Sequence, residues 1–287
     1  MEVTDIKKVG VVGAGTMGQG IAISCALAGY EVLLYDIDSG FCDTALGLIQ
    51  KTFNKSVEKG KLTQSLSDDS FKRIKKANQL SELTVDLVIE AVIENLEVKQ
   101  KLFLELENAN SGRTILATNT SSISITELAS VLSNPAQCVG LHFFNPAHIM
   151  KLVEVISGSA TSKEIVSVMK EFSKTIGKIA VEVKDSPGFI VNRVARHFYV
   201  ESLKVLEDEV ASHDVIDRLM KSSGFKMGPF ELMDLIGIDV NYAVTKSVYE
   251  GFSKASKFKP SEIQFQKITE GHLGRKSGKG FYEYSKS

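Results

Sequence analysis

A chain of 287 residues with 43% hydrophobic and 24% charged side chains has the balance of a globular protein, long enough for one large domain or two ordinary ones. Its 34 basic and 35 acidic residues leave a net charge of −1, so no global field draws it to nucleic acid or an acidic membrane. The three cysteines, Cys25, Cys42 and Cys138, form no C-x-x-C pair; a disulfide framework and a metal site are not expected, and a reducing compartment suits them.

The opening "MEVTDIKKVGVVG" lacks the charged, apolar and small-residue regions of a signal peptide. No apolar run approaches the length of a membrane span, and the expected location is the cytoplasm. Short apolar, β-branched runs then alternate with helical patterns. Strands are predicted at 8–13, 31–36, 86–92, 114–120 and 138–145, the rhythm of a parallel sheet covered on both faces.

The first strand runs into "GAGTMGQG". Gly13, Gly15 and Gly18 form G-x-G-x-x-G between a strand and a helix, with Ala14, Thr16 and Met17 completing the loop. The first glycine permits the turn, the second lets backbone approach a pyrophosphate, and the third lets helix and strand pack closely. The helix N-terminus offers unbonded N–H groups to the phosphates. Asp36 follows at the end of the next strand, where a carboxylate can bond ribose hydroxyls and disfavours a 2′-phosphate. With no arginine close behind it, NAD is expected rather than NADP.

Residues 39–76 read as lysine-rich helices inserted where a short crossover would suffice. Most of those lysines read as solvated surface. Further on, "GLHFFNPAHIMKLVEVISG" places His142 and Glu154 on two otherwise apolar segments separated by the turn signal Asn145-Pro146. Strand alternation puts His142 on a face with Gly140 and Phe144, and Glu154 on a face with Leu152 and Ile156. Burying either alone is costly, so folding back to pair them is the expected solution, and such a pair is a unit of acid–base chemistry. After "DSPGFIVNR" the pattern turns helical. The expected architecture is an α/β Rossmann-type dinucleotide-binding domain, residues 1–185, followed by an all-α domain, residues 186–287.

Together, "GAGTMGQGIA", "IEAVIENLEVKQKLF", "ATNTSSISITELA", "GLHFFNPAHIMKLVEV", "DSPGFIVNR", "GPFELMDLIGID" and "GRKSGKGFY" resemble the 3-hydroxyacyl-CoA dehydrogenase family, in family order over essentially the whole chain. Bacterial 3-hydroxybutyryl-CoA dehydrogenases are the nearest type. The resemblance implies an acyl-CoA substrate, NAD, and a homodimer formed through the helical domain. It makes His142 the catalytic base, Glu154 its partner carboxylate, Ser121 a contact to the reacting oxygen or cofactor, and Asn192 a substrate-orienting residue four positions into its helix. It places Glu94, Lys99 and Asn145 on the nicotinamide side of the cofactor, with Lys276 reaching it from the tail, and Thr52 and Lys59 against coenzyme A.

Plainer roles exist for several of these. Ser121 could serve a helix beginning near Ser124, for which Ser122 is the expected cap. Glu94 and Lys99 could be ordinary helix surface, Asn145 a turn residue, and Asn192 a solvent-facing polar group. His148-Ile149 departs from the proline and aliphatic residue usual in the family, as a substituted turn position would. The segment from Arg193 to Asn241 also resembles dehydrogenases for 3-hydroxyadipyl-CoA. Two rival classes share features: β-hydroxyacid dehydrogenases related to 6-phosphogluconate dehydrogenase, which need a lysine in the helical part, and non-catalytic λ-crystallins, which bind NADH.

Overall fold

The computed structural model describes residues 2–284. The chain divides into two compact units, Met1–Asp185 and Ser186–Ser287.

The first unit is built on strands β1 (Lys8–Val12), β2 (Glu31–Tyr35), β3 (Ile74–Lys76), β4 (Leu87–Glu90), β5 (Ile115–Thr118), β6 (Cys138–Phe143), β7 (Leu152–Ser157) and β8 (Ile179–Lys184). They form one sheet in the order β3-β2-β1-β4-β5-β6-β7-β8. Every neighbouring pair is parallel except β6 and β7. Strands β4, β5 and β6 are buried at every position, as their unbroken apolar runs require of strands covered on both faces.

Helices α1 (Thr16–Leu27), α2 (Ser39–Glu58), α3 (Gln64–Lys72), α4 (Leu96–Ala109), α5 (Ile125–Ala129) and α6 (Lys163–Thr175) connect the strands. Asp38, Thr63, Asn95, Ser124 and Ser162 each accept a backbone N–H at the start of a helix, satisfying donors that the helix cannot. Helix α5 is therefore capped by Ser124 and not Ser122, because Ser124 is the residue with extended backbone just ahead of the first turn. Helix α1 is apolar almost all round and is packed on most sides; a Cβ at Gly20 would lie 3.0 Å from the Ala147 Cβ in the turn beyond β6.

One predicted span changes and one strand is added. The 39–76 insertion is helical only as far as Lys72, since Ile74–Lys76 pairs with β2 as the edge strand β3. Strand β8, mostly exposed and weakly patterned, was not expected and extends the sheet beyond β7.

The second unit contains α7 (Val191–Glu207), α8 (His213–Ser222), α9 (Pro229–Ile236), α10 (Ile238–Gly251) and α11 (Glu262–Thr269). Tyr199, Leu203, Phe230, Met233 and Phe281 belong to its core. Two buried carboxylates tie it together. Asp217 accepts the Phe230 and Glu231 N–H groups at 2.9 Å and the Tyr282 hydroxyl at 2.8 Å. Asp234 accepts the Phe281 and Tyr282 N–H groups and the Tyr284 hydroxyl, each at 2.9 Å. No helix among the described residues is long and apolar enough to cross a membrane.

Candidate active site

The glycine loop joins β1 to α1 by the geometry its motif predicts. Gly13 sits at φ +103° and a Cβ there would meet the Ala91 carbonyl oxygen at 2.5 Å, while one on Gly18 would lie 1.8 Å from the Gly13 oxygen. A Cβ on Gly15 would meet nothing within 4 Å. Gly13 and Gly18 are thus required by packing, whereas Gly15 keeps open the space over the helix N-terminus. No side chain caps that terminus. Open backbone at a positive helix end suits a pyrophosphate. Just beyond β2, Asp36 accepts the Ala14 N–H at 2.7 Å, which draws the carboxylate to the loop.

His142 and Glu154 are directly opposite one another across the antiparallel β6–β7 pair. Nδ1 of His142 lies 2.7 Å from Oε2 of Glu154, and both side chains are buried, at 7% and 1% exposure. An ionised Glu154 accepts from Nδ1–H and so places the imidazole lone pair on Nε2. The Phe144 ring packs 4.6 Å from the imidazole, centroid to centroid. Asn119, beyond β5, accepts the Phe143 N–H at 2.8 Å and steadies the backbone next to the histidine. The turn of residues 146–150 is held from beneath by Lys178, whose Nζ donates to the carbonyls of Ala147 at 2.5 Å and Met150 at 2.9 Å. His148 lines a cavity of about 360 Å³ with Lys178 and Ser24; burial and the Lys178 charge lower its pKa.

A second polar cluster lies at the ends of β4 and β5. Glu94 Oε1 accepts the Thr120 hydroxyl at 2.6 Å, the Ser121 N–H at 2.9 Å and the Ser122 hydroxyl at 3.1 Å; the Ser121 hydroxyl is 3.4 Å away. Its Oε2 is 3.3 Å from Lys99 Nζ. Partial burial raises the Glu94 carboxyl, but the Lys99 charge and the hydrogen bonds from Thr120 and Ser121 outweigh it, and its pKa lies below the usual value. Lys99 is buried and donates to Glu90 Oε1 at 2.5 Å. Glu90 is a site residue that sequence reasoning passed over, although an acid within the apolar run "DLVIEAV" carries the same signal as Glu154.

The other expected residues lie on other elements. Thr52 and Lys59 are both on α2 or its C-cap, two turns apart and so on one side of the helix. Asn145 is exposed at the start of the turn beyond β6. Asn192 belongs to the second unit and is the second residue of α7, not the fourth, because Phe189 at φ +50° lies outside the helix. Lys276 is held within that same unit by Asp239, at 2.6 Å.

The glycine loop, Asp36, the Glu94–Lys99 cluster and His142 all lie at the carboxyl edge of the parallel strands, where doubly wound sheets bind dinucleotides. Fold and site together define a Rossmann-type dinucleotide-binding protein with a buried His–carboxylate pair at the carboxyl edge of its sheet.

Residues 8–186 match the NAD binding domain of 3-hydroxyacyl-CoA dehydrogenase, and residues 188–284 match the C-terminal domain of the same enzyme. The chain is 47% identical over 282 residues to 3-hydroxyadipyl-CoA dehydrogenase of Escherichia coli, covering 98% of this chain but only 59% of that relative. It is 40% identical to 3-hydroxybutyryl-CoA dehydrogenase of Clostridioides difficile, over 97% of this chain and the whole of that one. The crystal structure of (S)-3-hydroxybutyryl-CoA dehydrogenase from Ralstonia eutropha superposes with a TM-score of 0.94 at 39% identity, covering 98% of this chain and all of that one. The chain belongs to the 3-hydroxyacyl-CoA dehydrogenase family.

Proposed function

We propose that the protein interconverts an L-3-hydroxyacyl-CoA and its 3-oxoacyl-CoA, with 3-hydroxybutyryl-CoA and acetoacetyl-CoA as the substrate pair. The observation that carries this reading is the buried 2.7 Å contact between His142 and Glu154 on the sheet edge that bears the glycine loop. Gly13 to Gly18 and Asp36 hold the cofactor, with Glu94, Lys99, Ser121 and Asn145 toward its nicotinamide. NAD bound there would supply the hydride acceptor for C3 of the substrate.

In the oxidising direction Nε2 of His142 accepts the proton of the 3-hydroxyl, and Glu154 fixes the tautomer and stabilises the imidazolium that results. In reduction the same imidazolium gives the proton back. Ser121 bonds the reacting oxygen, and Asn192 orients the substrate. Thr52 and Lys59 contact coenzyme A from α2, and Lys276 serves the cofactor from the second unit.

The second unit also forms a homodimer in this reading. Val215, Leu219, Leu235 and Phe265 are large apolar side chains exposed on it and available to such an interface. A cytoplasmic location accords with the three buried free cysteines.

A six-carbon dicarboxylic substrate is the second reading, favoured by the name of the 47% identical relative. NADH oxidation with acetoacetyl-CoA and 3-oxoadipyl-CoA, measured side by side, separates the two by the ratio of kcat/KM. Turnover of either is expected. Silence on both, with NADH still bound, would sink the catalytic reading and revive a λ-crystallin-like one.

A further inference from the structure

Glu90 closes β4 and is completely buried. Its Oε1 accepts the Val92 N–H at 2.7 Å and Lys99 Nζ at 2.5 Å, and its Oε2 accepts the Thr118 hydroxyl at 2.7 Å. Lys99 reaches on to Glu94, whose side chain is 38% exposed. Two carboxylates therefore share one ammonium. The cluster has a net charge of −1; Glu90 is sealed inside, and Glu94 is the member that meets the outside.

The strand order decides what lies above it. The sheet reverses direction of growth between β1 and β4, and a dinucleotide straddles such a switch point. Asp36, just beyond β2, marks the adenosine side. The nicotinamide half then lies over the ends of β4, β5 and β6, which are Glu90, Thr118 and the His142 strand. That ring is cationic when oxidised and neutral when reduced. A fixed negative charge beside it stabilises the oxidised form and is indifferent to the reduced one.

We propose that Glu90 is a positioning residue that, through Lys99, keeps the charge at the nicotinamide half-site negative and so sets how strongly the protein favours NAD⁺ over NADH. Glu90 need not touch the cofactor. Without its charge, Lys99 neutralises Glu94, the cluster falls to zero, and the bias is lost. The inference rests on the use of NAD and not on any choice of acyl chain.

Its test is binding, not turnover. The chain has no tryptophan, so NADH fluorescence can report one affinity directly while calorimetry gives that for NAD⁺. In Glu90→Gln, which is nearly isosteric, the NAD⁺ dissociation constant is expected to rise about tenfold, the order for one unit charge acting through a partly polar medium. That for NADH should move less than about twofold on the same grounds. Thr118→Val removes a hydrogen bond from the same carboxylate but no charge, and should leave the ratio of the two constants unchanged.

Equal weakening of both forms in Glu90→Gln, or the same ratio change in Thr118→Val, would reduce Glu90 to a structural staple and overturn the proposal. If Glu90→Gln does not fold, Glu94→Gln decides, since an unchanged ratio there also overturns it. A wild-type protein that binds neither form removes the dinucleotide reading itself, and the proposal with it.

Discussion

At the residue scale the site rests on two polar side chains that burial would penalise heavily if either stood alone. A carboxylate as buried as Glu154 needs a donor, and the imidazole 2.7 Å away supplies one while keeping its second ring nitrogen for proton transfer. Glu154→Gln keeps the volume and loses the charge that holds the imidazolium. Its kcat is expected to fall about 10²- to 10³-fold, with the melting temperature changed far less than the rate. Steady-state kinetics with a thermal melt on the same sample checks both; a variant with full kcat would show that Glu154 is only packing. His142 and Glu154 were legible in the sequence because each interrupts an apolar strand. Glu90 interrupts one just as plainly, yet its meaning depends on Lys99 nine residues later and Thr118 on another strand, which no local pattern reports. Ser121 is harder still, since its N–H to Glu94 is set by the path of the loop and not by residue type.

At the element scale, the strand–loop–helix at residues 8–27 makes two glycines testable against each other. Gly18→Ala would drive a methyl to 1.8 Å from the Gly13 oxygen. The loop or the helix must move, at a cost of about 3 kcal/mol or more, read as a lower midpoint in urea. Gly15→Ala meets nothing in the folded chain and adopts an extended backbone that alanine tolerates. It should keep the wild-type midpoint and lose NAD affinity, because its methyl enters the space left for the pyrophosphate. Matching losses of stability in the two variants would contradict this division of labour. The interior strands were readable because burial on both faces demands unbroken apolar runs. Strand β3 has only three residues, Ile-Lys-Lys, and β8 is largely exposed, so neither needs a pattern that distinguishes it from helix or loop.

At the scale of the whole molecule, the three cysteines are reporters of integrity. All are completely buried, and burial pushes the Cys25 and Cys138 thiols up to about 12 and raises that of Cys42. Native protein at neutral pH should therefore be inert to a thiol reagent, with all three sites reacting together once denaturant unfolds the chain. Rapid labelling of any of them without denaturant would contradict that packing. The apolar exposure of the second unit leads to a different measurement. Leu219→Lys should convert the proposed dimer to monomer in sedimentation velocity without loss of helical circular dichroism, because Leu219 is 64% exposed and is not a core residue of its own unit. A variant that remains dimeric would place the interface elsewhere.

The two buried aspartates of the second unit also dictate an order of events during synthesis. Asp217 and Asp234 are made well before their partners, Phe281, Tyr282 and Tyr284. Until those have left the ribosome, both carboxylates lack part of their hydrogen bonding, and the helices that carry them cannot close over dry charge. The first unit waits for nothing of the kind, since its sheet is complete once β8 has emerged. The nascent chain thus acquires a finished nucleotide fold while its remaining helices stay open to chaperones, and a stop codon a few residues upstream of Phe281 would leave the first half folded and the second unable to finish.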